Sequence, residues 1–238
     1  MSQRQPERAA PWPSRCLAGV VGLVSAYTLG GQLAGRLRAL RRRPDIPEAV
    51  VLTFDDGPDP AATPGILDCL AEHHAPAAFF MIGRHALQHR ALAREVVARG
   101  HEVGNHTFSH GNQWFLSPRQ AAEEIRAGAE AIEQATGQRP IAFRPPWGLF
   151  NVFSDVVARG VGEPSVLWSV VSEGFLLPPT VEEMVGRIVR SVRGGDIIDL
   201  HDAGGFADTP QRVLAALPDV IARLRDAGFR FVPLSTFL

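Results

Sequence analysis

Short apolar runs alternate with longer amphipathic segments from residue 46 to the end of the chain, and this alternation restricts the fold more than any other feature. Runs of this length between turn signals are typical of buried strands, and the segments between them carry helix signals. The segment after Ser117, for example, has Pro118 in its first turn and Gly137 at its end. The runs predicted as strands are residues 49–54, 77–81, 101–105, 141–145, 165–170, 196–201 and 230–234.

Strands that alternate with helices favour parallel strands joined by crossover helices. Such a sheet can stay open or close into a barrel, and the periodicity alone does not decide between the two. A chain of 238 residues, 45% of them apolar, can bury one large core. We therefore predict a single α/β domain over residues 46–238.

The charge and cysteine content exclude some classes of protein. A net charge of -1 provides no basic surface of the kind that binds a phosphate backbone, so we expect no nucleic-acid partner. Cys16 and Cys69 lie in segments of very different character. They predict no disulfide framework and indicate no redox compartment.

Residues 1–45 differ in composition from the rest and are predicted to form an N-terminal tail with a basic linker. The run 16–35 carries no charge and, at about 1.5 Å per residue, is long enough to cross a bilayer. A membrane anchor, a signal peptide and a surface-lying helix all remain open for it. Arginines flank the run, and they are more frequent after it, which would place the C-terminal side in the cytoplasm.

Polar residues collect where the predicted strands end. The first, third, fourth and sixth runs lead into "TFDDGPDP", "GNHTFSH", "FRPPWG" and "DLHDAGG". Each motif alone has an ordinary structural explanation, and Asp-Asp-Gly-Pro on its own is a turn signal. The C-terminal ends of parallel strands share one mouth, however, so their joint placement predicts an active site there.

The spacing of histidines in "HEVGNHTFSH" predicts a metal site. His106 and His110 are four residues apart, which lets both imidazoles face one ion, whereas His101 begins its strand and is expected to cap or pack. The third ligand should come from the loop after the first strand, where Asp55 and Asp56 point in different directions. Two imidazoles and a carboxylate leave one position open for water, as in catalytic zinc sites.

The motifs "TFDDGP", "HTFSH", "RPPWG" and "LHD", in this order and at these separations, resemble those of the polysaccharide deacetylase family, carbohydrate esterase family 4. The likeness runs from about Val50 to the C-terminus. It implies a distorted (β/α) barrel, which we expect to contain about seven parallel strands. It also implies removal of acetyl groups from N-acetylglucosamine or N-acetylmuramic acid units of chitin-like chains and peptidoglycan, or from O-acetylated polysaccharides such as xylan.

The resemblance also assigns roles to individual residues. Carried over by position, it makes Asp56 the metal ligand beside the two histidines and Asp55 the general base. It gives Arg144 the task of orienting the base and His201 that of the general acid. These roles agree with the chemistry, because a metal activates water and polarises the acetyl carbonyl, and the leaving nitrogen needs a proton. The cofactor is predicted as a divalent metal, Zn²⁺ first and Co²⁺ or Ni²⁺ as alternatives.

The chain departs from the family pattern beside the acid. Gly174 and Phe175 stand where the family has an aspartate and a second tryptophan, and Asp199 stands where it has a leucine. The missing aspartate normally holds the acid histidine. We predict that Asp199 replaces it, because residues two apart on a strand share a face about 6.6 Å apart, and His201 would be its nearest partner. Alternatively, Asp199 faces the helices or pairs with an arginine, or Glu173 takes the role.

The sequence as a whole predicts a divergent metal-dependent deacetylase of a cell-envelope or chitin-like polysaccharide. Trp147, with Pro145 and Phe175, is expected to line the substrate groove. Two alternatives stay open: a hydrolase of a different amide or ester, and a non-catalytic glycan-binding relative with a defective acid site. We expect a monomer in the cell envelope, secreted or associated with the membrane through residues 16–35.

Overall fold

The computed structural model describes residues 21–173, 178–205 and 208–238, and its centre is a sheet of parallel strands. The strands are β1 (Ala49–Asp55), β2 (Ala77–Met81), β3 (Glu102–Asn105), β4 (Val170–Val171), β5 (Ile197–His201) and β6 (Arg230–Phe231). Their order is β3-β2-β1-β5-β4, with β6 paired to the first residues of β1. Every residue of β1 and β2 is buried, as is usual for parallel strands covered on both faces.

Single parallel bridges close this sheet into a distorted barrel. Phe143 bridges Asn105 at the end of β3 on one side and Ser165 on the other. The chain then continues from Ser165 into β4, which pairs with β5. The predicted α/β barrel is thus confirmed, but the described residues contain six strands rather than about seven, because the runs 141–145 and 165–170 form mainly bridges. Prolines at 140, 145, 146 and 164 limit ladder hydrogen bonding there.

Helices cover the outside of the barrel. They are α1 (Gly31–Arg38), α2 (Thr63–Glu72), α3 (Gly83–Gln88), α4 (Arg90–Ala98), α5 (Pro118–Thr136), α6 (Ser154–Gly160), α7 (Val181–Ser191) and α8 (Thr209–Asp226). The signals read for α5 are confirmed. Ser117 caps it through a reciprocal capping box with Gln120, and Gly137 ends it in the left-handed region at φ 80°.

The two faces of β1 explain why polar groups can lie inside an apolar barrel. Val50, Leu52 and Phe54 point to the helices and belong to the largest apolar cluster. Ala49 and Val51 point to the interior, where they pack in a second cluster. The same alternation carries the next two interior positions, residues 53 and 55, towards the mouth of the barrel.

The described part of the N-terminal segment is packed on the barrel. Residues 21–25 are helical, a π-helical turn covers Ala26–Gly30, and α1 follows. The backbone of Leu40 exchanges hydrogen bonds with Ser165 and Leu167, so the linker runs along the barrel wall. No helix in the described ranges is long and apolar enough to cross a membrane, and residues 16–20 of the predicted anchor lie outside them.

Candidate active site

The polar strand ends meet at the mouth of the barrel in two layers. The register of β1 against β5 places Asp55 beside His201 and Thr53 beside Asp199. Since residues two apart share a strand face, the first pair lies at the mouth and the second pair one layer deeper. The mouth opens into a cleft of about 600 Å³, a size suited to a small ligand or a sugar unit.

Asp56, His106 and His110 converge on one point of this cleft. Oδ1 of Asp56 lies 3.4 Å from Nε2 of His106 and 3.1 Å from Nε2 of His110. Zinc bonds of about 2.1 Å in a tetrahedron separate neighbouring ligand atoms by roughly 3.4 Å. The structure therefore brings together the three side chains that the sequence suggested, at spacings that suit one ion.

The tautomer of His106 is set for metal binding. Its Nδ1 lies 2.8 Å from the carbonyl oxygen of Arg144, which can only accept a hydrogen bond, so Nδ1 carries the proton. The lone pair of Nε2 then faces Asp56. A ligating imidazole whose other nitrogen donates to a carbonyl is the usual arrangement around protein-bound metals.

The loop after β3 turns back on itself to bring His110 beside His106. Thr107 and His110 have φ angles of 67° and 64°, in the left-handed region that few residues adopt. Side-chain hydrogen bonds hold this conformation: Oδ1 of Asn105 accepts from the Thr107 amide at 2.9 Å, and Oγ1 of Thr107 accepts from the His110 amide at 3.1 Å. Asn105 itself donates to the buried carboxyl of Glu163 at 2.8 Å.

The residues present fit a divalent cation. Oδ1 of Asp56 is buried and makes no hydrogen bond of standard geometry with the described residues, although the two imidazoles lie close. Burial alone would raise the pKa of Asp56, but positive charge on the facing imidazoles lowers it well below its usual value, so the group is a carboxylate; a bound cation would supply that positive charge when Nε2 of His106 carries its lone pair. An unpaired buried carboxylate oxygen is costly unless a cation satisfies it. A carboxylate with two imidazoles is a catalytic zinc donor set.

Asp55 is held at one oxygen and open at the other. Its Oδ1 accepts a hydrogen bond from Nη1 of Arg144 at 2.7 Å. Its Oδ2 lies 3.9 Å from Nε2 of His106 and so faces the point on which the candidate ligands converge. The two adjacent aspartates thus point in different directions, with one of them placed to receive a proton beside the metal position.

Arg144 is fully buried and links both layers of the site. Its Nη1 donates to Asp55, to Oγ1 of Thr53 at 2.9 Å and to Oδ1 of Asp199 at 3.2 Å. The guanidinium also lies 4.0 Å from the centre of the Phe80 ring. A buried arginine shared by two carboxylates fixes both of them, because neither can move without leaving a buried charge unpaired.

The acid side of the cleft differs from the prediction. Nδ1 of His201 lies 2.9 Å from Oε1 of Glu173, whereas the direct ion pair of Asp199 is with Arg144. The Glu173 contact has the distance of an ion pair but not the direction of a standard hydrogen bond. Asp199 does face the interior, one layer below His201. The direct ion pairs are thus those of the two alternatives: a guanidinium offers the buried Asp199 carboxylate a permanent positive charge, and Glu173 lies against the imidazole, while Asp199 stays close enough to act on His201 through its charge.

The charges around His201 favour its protonated form. Burial would lower the pKa of His201, but Glu173 and Asp199, and then Asp55, raise it well above its usual value. Burial and the neighbouring Asp55 raise the pKa of Asp199, while His201 and Arg144 oppose that rise. The imidazole can therefore carry a proton near neutral pH, as a general acid must.

The residues predicted to line the groove do not all lie in the cleft of the described structure. Trp147 is 57% exposed, lines the cleft, and its ring centre lies 4.3 Å from that of His110. Pro145 is buried behind it and does not line the cleft in the described structure, which corrects that prediction. Phe175 lies outside the described residues.

The sequence matches a known family and several of its named members. The family model described as polysaccharide deacetylase matches residues 42–162. A peptidoglycan-N-acetylglucosamine deacetylase of Bacillus cereus is 37% identical over 82% of this chain and 90% of its own length. A chitooligosaccharide deacetylase of Sinorhizobium fredii is 36% identical over 81% of this chain and 93% of its own length.

The chain belongs to the polysaccharide deacetylase family. It is a polysaccharide deacetylase, with the metal dependence of that family and a candidate metal-binding group among its described residues. A solved structure of a mutant of a CE4 family pseudoenzyme, in which activity was restored, superimposes with a TM-score of 0.75. That structure is 27% identical and covers 83% of this chain and 69% of its own.

Asp202 is a buried residue of this deacetylase to which the sequence motifs assigned no role. Its Oδ1 accepts from the Gly57 amide at 3.1 Å and its Oδ2 accepts from Oγ1 of Thr63 at 2.6 Å. Burial raises the pKa of Asp202 to about 7. The side chain ties the loop after β5 to the turn after Asp56. The third letter of "LHD" was the available signal, because a buried strand rarely ends in a charge without a partner.

Two histidines outside the candidate ligand set have different surroundings, one in the core and one in the cleft. His101 packs edge-on against Phe79 at 5.5 Å, and burial lowers its pKa to about 4, so it is a core residue as expected. His85 was not predicted, yet it lines the cleft and its Nδ1 lies 2.8 Å from the carbonyl oxygen of Asp56. The sequence around His85 has no spacing that predicts this role, because His85 is on α3 and its contact is with Asp56 at the end of a different element.

Proposed function

We propose that this deacetylase removes the N-acetyl group from N-acetylglucosamine units of a cell-envelope or chitin-like glycan, with Zn²⁺ as its metal. The observation that carries the proposal is the convergence of Asp56, His106 and His110 beside Asp55, whose free oxygen faces them. Co²⁺ and Ni²⁺ accept the same donors, and metal analysis distinguishes the three. The names of the two relatives, which act on peptidoglycan and on chitooligosaccharides, support this substrate class.

Asp55 has the geometry of a general base. A divalent ion held by Asp56, His106 and His110 supplies a Lewis acid for the acetyl carbonyl and lowers the pKa of water. Oδ2 of Asp55 is the free carboxylate oxygen on that side and accepts the proton of the attacking water. Arg144 occupies Oδ1 and so leaves only one oxygen for this task.

His201 has the position and charge of the general acid. It lies beside Asp55 in the register of the sheet, so the acid and the base face the same reacting carbon. The imidazolium donates its proton to the nitrogen of the departing sugar, which would otherwise leave as an unstable anion. Oε1 of Glu173 lies 2.9 Å from Nδ1 of this ring, and its negative charge stabilises the protonated form.

The rim of the cleft suits a sugar chain. Trp147 presents an exposed aromatic face beside His110, and Trp168 and Val171 also line the cleft. Aromatic faces pack on the apolar faces of sugar rings, and the acetyl group then reaches the metal position. This arrangement favours a glycan over the alternative amide or ester substrate.

Membrane association through residues 16–35 remains part of the proposal. Leu29, Leu33 and Leu37 follow one another at a spacing of four and are 59%, 64% and 77% exposed. Exposed apolar side chains on one side of a helix, with Arg36 and Arg38 nearby, are typical of helices that lie at a membrane surface. Their exposure supports a location at the cell envelope.

The proposal is tested by acetate release from acetylated chitooligosaccharides, peptidoglycan and acetylated xylan. The full chain is stripped of metal and then reloaded with Zn²⁺, Co²⁺ or Ni²⁺. We expect release from N-acetylated glycans only after reloading. Bound metal without hydrolysis of any glycan would support the glycan-binding alternative, and release from xylan alone would move the specificity to O-acetyl groups.

A further inference from the structure

The N-terminal helix α1 lies in direct backbone contact with the loop that follows Trp147. A Cβ added at Gly31 would lie 2.3 Å from the carbonyl carbon of Asn151, and one added at Gly35 would lie 2.3 Å from the Phe150 ring. Only glycine permits such close approach, so these positions bring the whole helix against the loop.

Gln32 uses both ends of its amide in this contact. Its Nε2 donates to the carbonyl oxygen of Gly148 at 2.9 Å, and its Oε1 accepts from the Phe150 amide at 2.6 Å. A glutamine side chain loses rotamer entropy when it is fixed at both ends. Here the two hydrogen bonds offset that loss of entropy. They hold the loop at two points, Gly148 and Phe150.

The loop held in this way is conformationally strained. Trp147 has a φ of 55°, which is rare for an aromatic residue, and Gly148 follows at 65°. The amides of Gly148 and Leu149 turn back to Pro145 and Pro146. A residue in the left-handed region persists only where surrounding contacts fix it. Gln32 provides such contacts on the residues that follow the tryptophan.

A second set of contacts joins the π-helical turn before α1 to the loop after His110, and that loop to the loop after Trp147. The hydroxyl of Tyr27 donates to the carbonyl oxygen of Leu116 at 2.5 Å. Nε1 of Trp114 donates to the carbonyl oxygen of Phe150 at 3.0 Å. The loop that carries a metal ligand and the loop that carries Trp147 are therefore linked to each other and to the N-terminal segment.

We infer that Gln32 is a positioning residue for the glycan cleft, which it serves by holding Trp147 in place. The inference rests on the proposed function, because it concerns how the same cleft receives a sugar chain. It also makes the apolar N-terminal segment part of the substrate-binding structure.

The test compares Gln32→Ala with Arg36→Ala, an exposed control one turn further along the same helix. Amide hydrogen exchange should become about tenfold faster in Gln32→Ala at Phe150, whose amide loses its acceptor, and should also rise at Gly148 and Leu149 if the loop is released. KM for an acetylated chitooligosaccharide should rise about five- to tenfold, with kcat within about twofold, because Trp147 binds the sugar and not the reacting atoms. Hydrolysis of 4-nitrophenyl acetate, which needs no sugar contact, should not change.

The conservative variant Gln32→Glu sharpens the result. Its carboxylate can accept from the Phe150 amide but cannot donate to Gly148, so its KM should fall between those of wild type and Gln32→Ala. Two results would overturn the inference by showing a merely structural role. One is an equal loss of activity of Gln32→Ala on the oligosaccharide and on 4-nitrophenyl acetate, and the other is faster amide exchange with an unchanged KM. If the wild-type chain releases no acetate from any glycan, the proposed function fails. The exchange rates and the affinity for the same oligomer, measured by calorimetry, then still decide the role of Gln32.

Discussion

The two sides of the cleft are built on different principles. On the metal side, His106 and His110 are brought together by local backbone geometry, with left-handed residues that side-chain hydrogen bonds hold in place, and Asp56 faces them from the end of β1. On the acid side, Asp199 lies on the same strand as His201 but pairs with Arg144, and Glu173 lies against the imidazole, so these contacts follow from the balance of charge rather than from position along the strand. The spacing of residues in the sequence therefore predicts the contacts of the metal side better than those of the acid side.

The metal side gives the largest expected effect. We predict that His106→Ala or His110→Ala removes both the bound metal and measurable turnover, because each is one of the three candidate ligands that converge here among the described residues. Metal content of the purified variants and acetate release measure the two losses. His101→Ala is the matched control and should keep its metal, since that ring packs on Phe79. Full metal stoichiometry in either ligand variant would contradict the assignment.

Asp55 separates the chemistry from the binding of metal. Asp55→Asn should keep the metal, while kcat falls by about 100-fold or more, the usual effect of losing a general base. Its Oδ1 position can still accept from Arg144, so the fold around it should be preserved. If the variant lost its metal instead, the roles of Asp55 and Asp56 would have to be exchanged.

Glu163, which binds Asn105 behind the metal side, is expected to have a smaller effect, and that effect is on the stability of the fold. Burial raises the pKa of Glu163 to about 8, so the folded protein keeps that proton between about pH 4.5 and 8 while the unfolded chain loses it. The free energy of unfolding therefore falls as the pH rises through this window. Glu163→Gln cannot titrate and still accepts from Asn105.

Thermal unfolding of the metal-loaded protein at pH 5 and pH 8.5 measures this difference. We expect the fall in Tm between the two values to be smaller in Glu163→Gln by about 5 °C. Glu182→Gln, at an exposed position of α7, is the control and should behave like wild type. An identical pH dependence in Glu163→Gln would show that this carboxyl is ionised in the folded state.

The sequence predicted the parts of the site that depend on order and spacing. The strand ends, the i and i+4 histidines and the two aspartates of "TFDDGP" all lie at the barrel mouth. It left open whether Asp199 contacts His201 or pairs with an arginine, because strand periodicity gives the face of a residue but not which neighbour offers the better charge. The role of Asp202 and the packing of α1 were missed because they depend on contacts between distant loops.

The central claim for the acid side is that Glu173 holds and tunes His201, and the pH profile of kcat tests it most directly. A general acid must be protonated, so activity falls as the pH rises through its apparent pKa. Glu173→Gln removes the nearest negative charge and should move this alkaline limb down by about one pH unit or more. Asp199→Asn should move it less, because the Asp199 carboxylate is paired with Arg144. An unchanged limb in Glu173→Gln, or a larger shift in Asp199→Asn, would contradict the account.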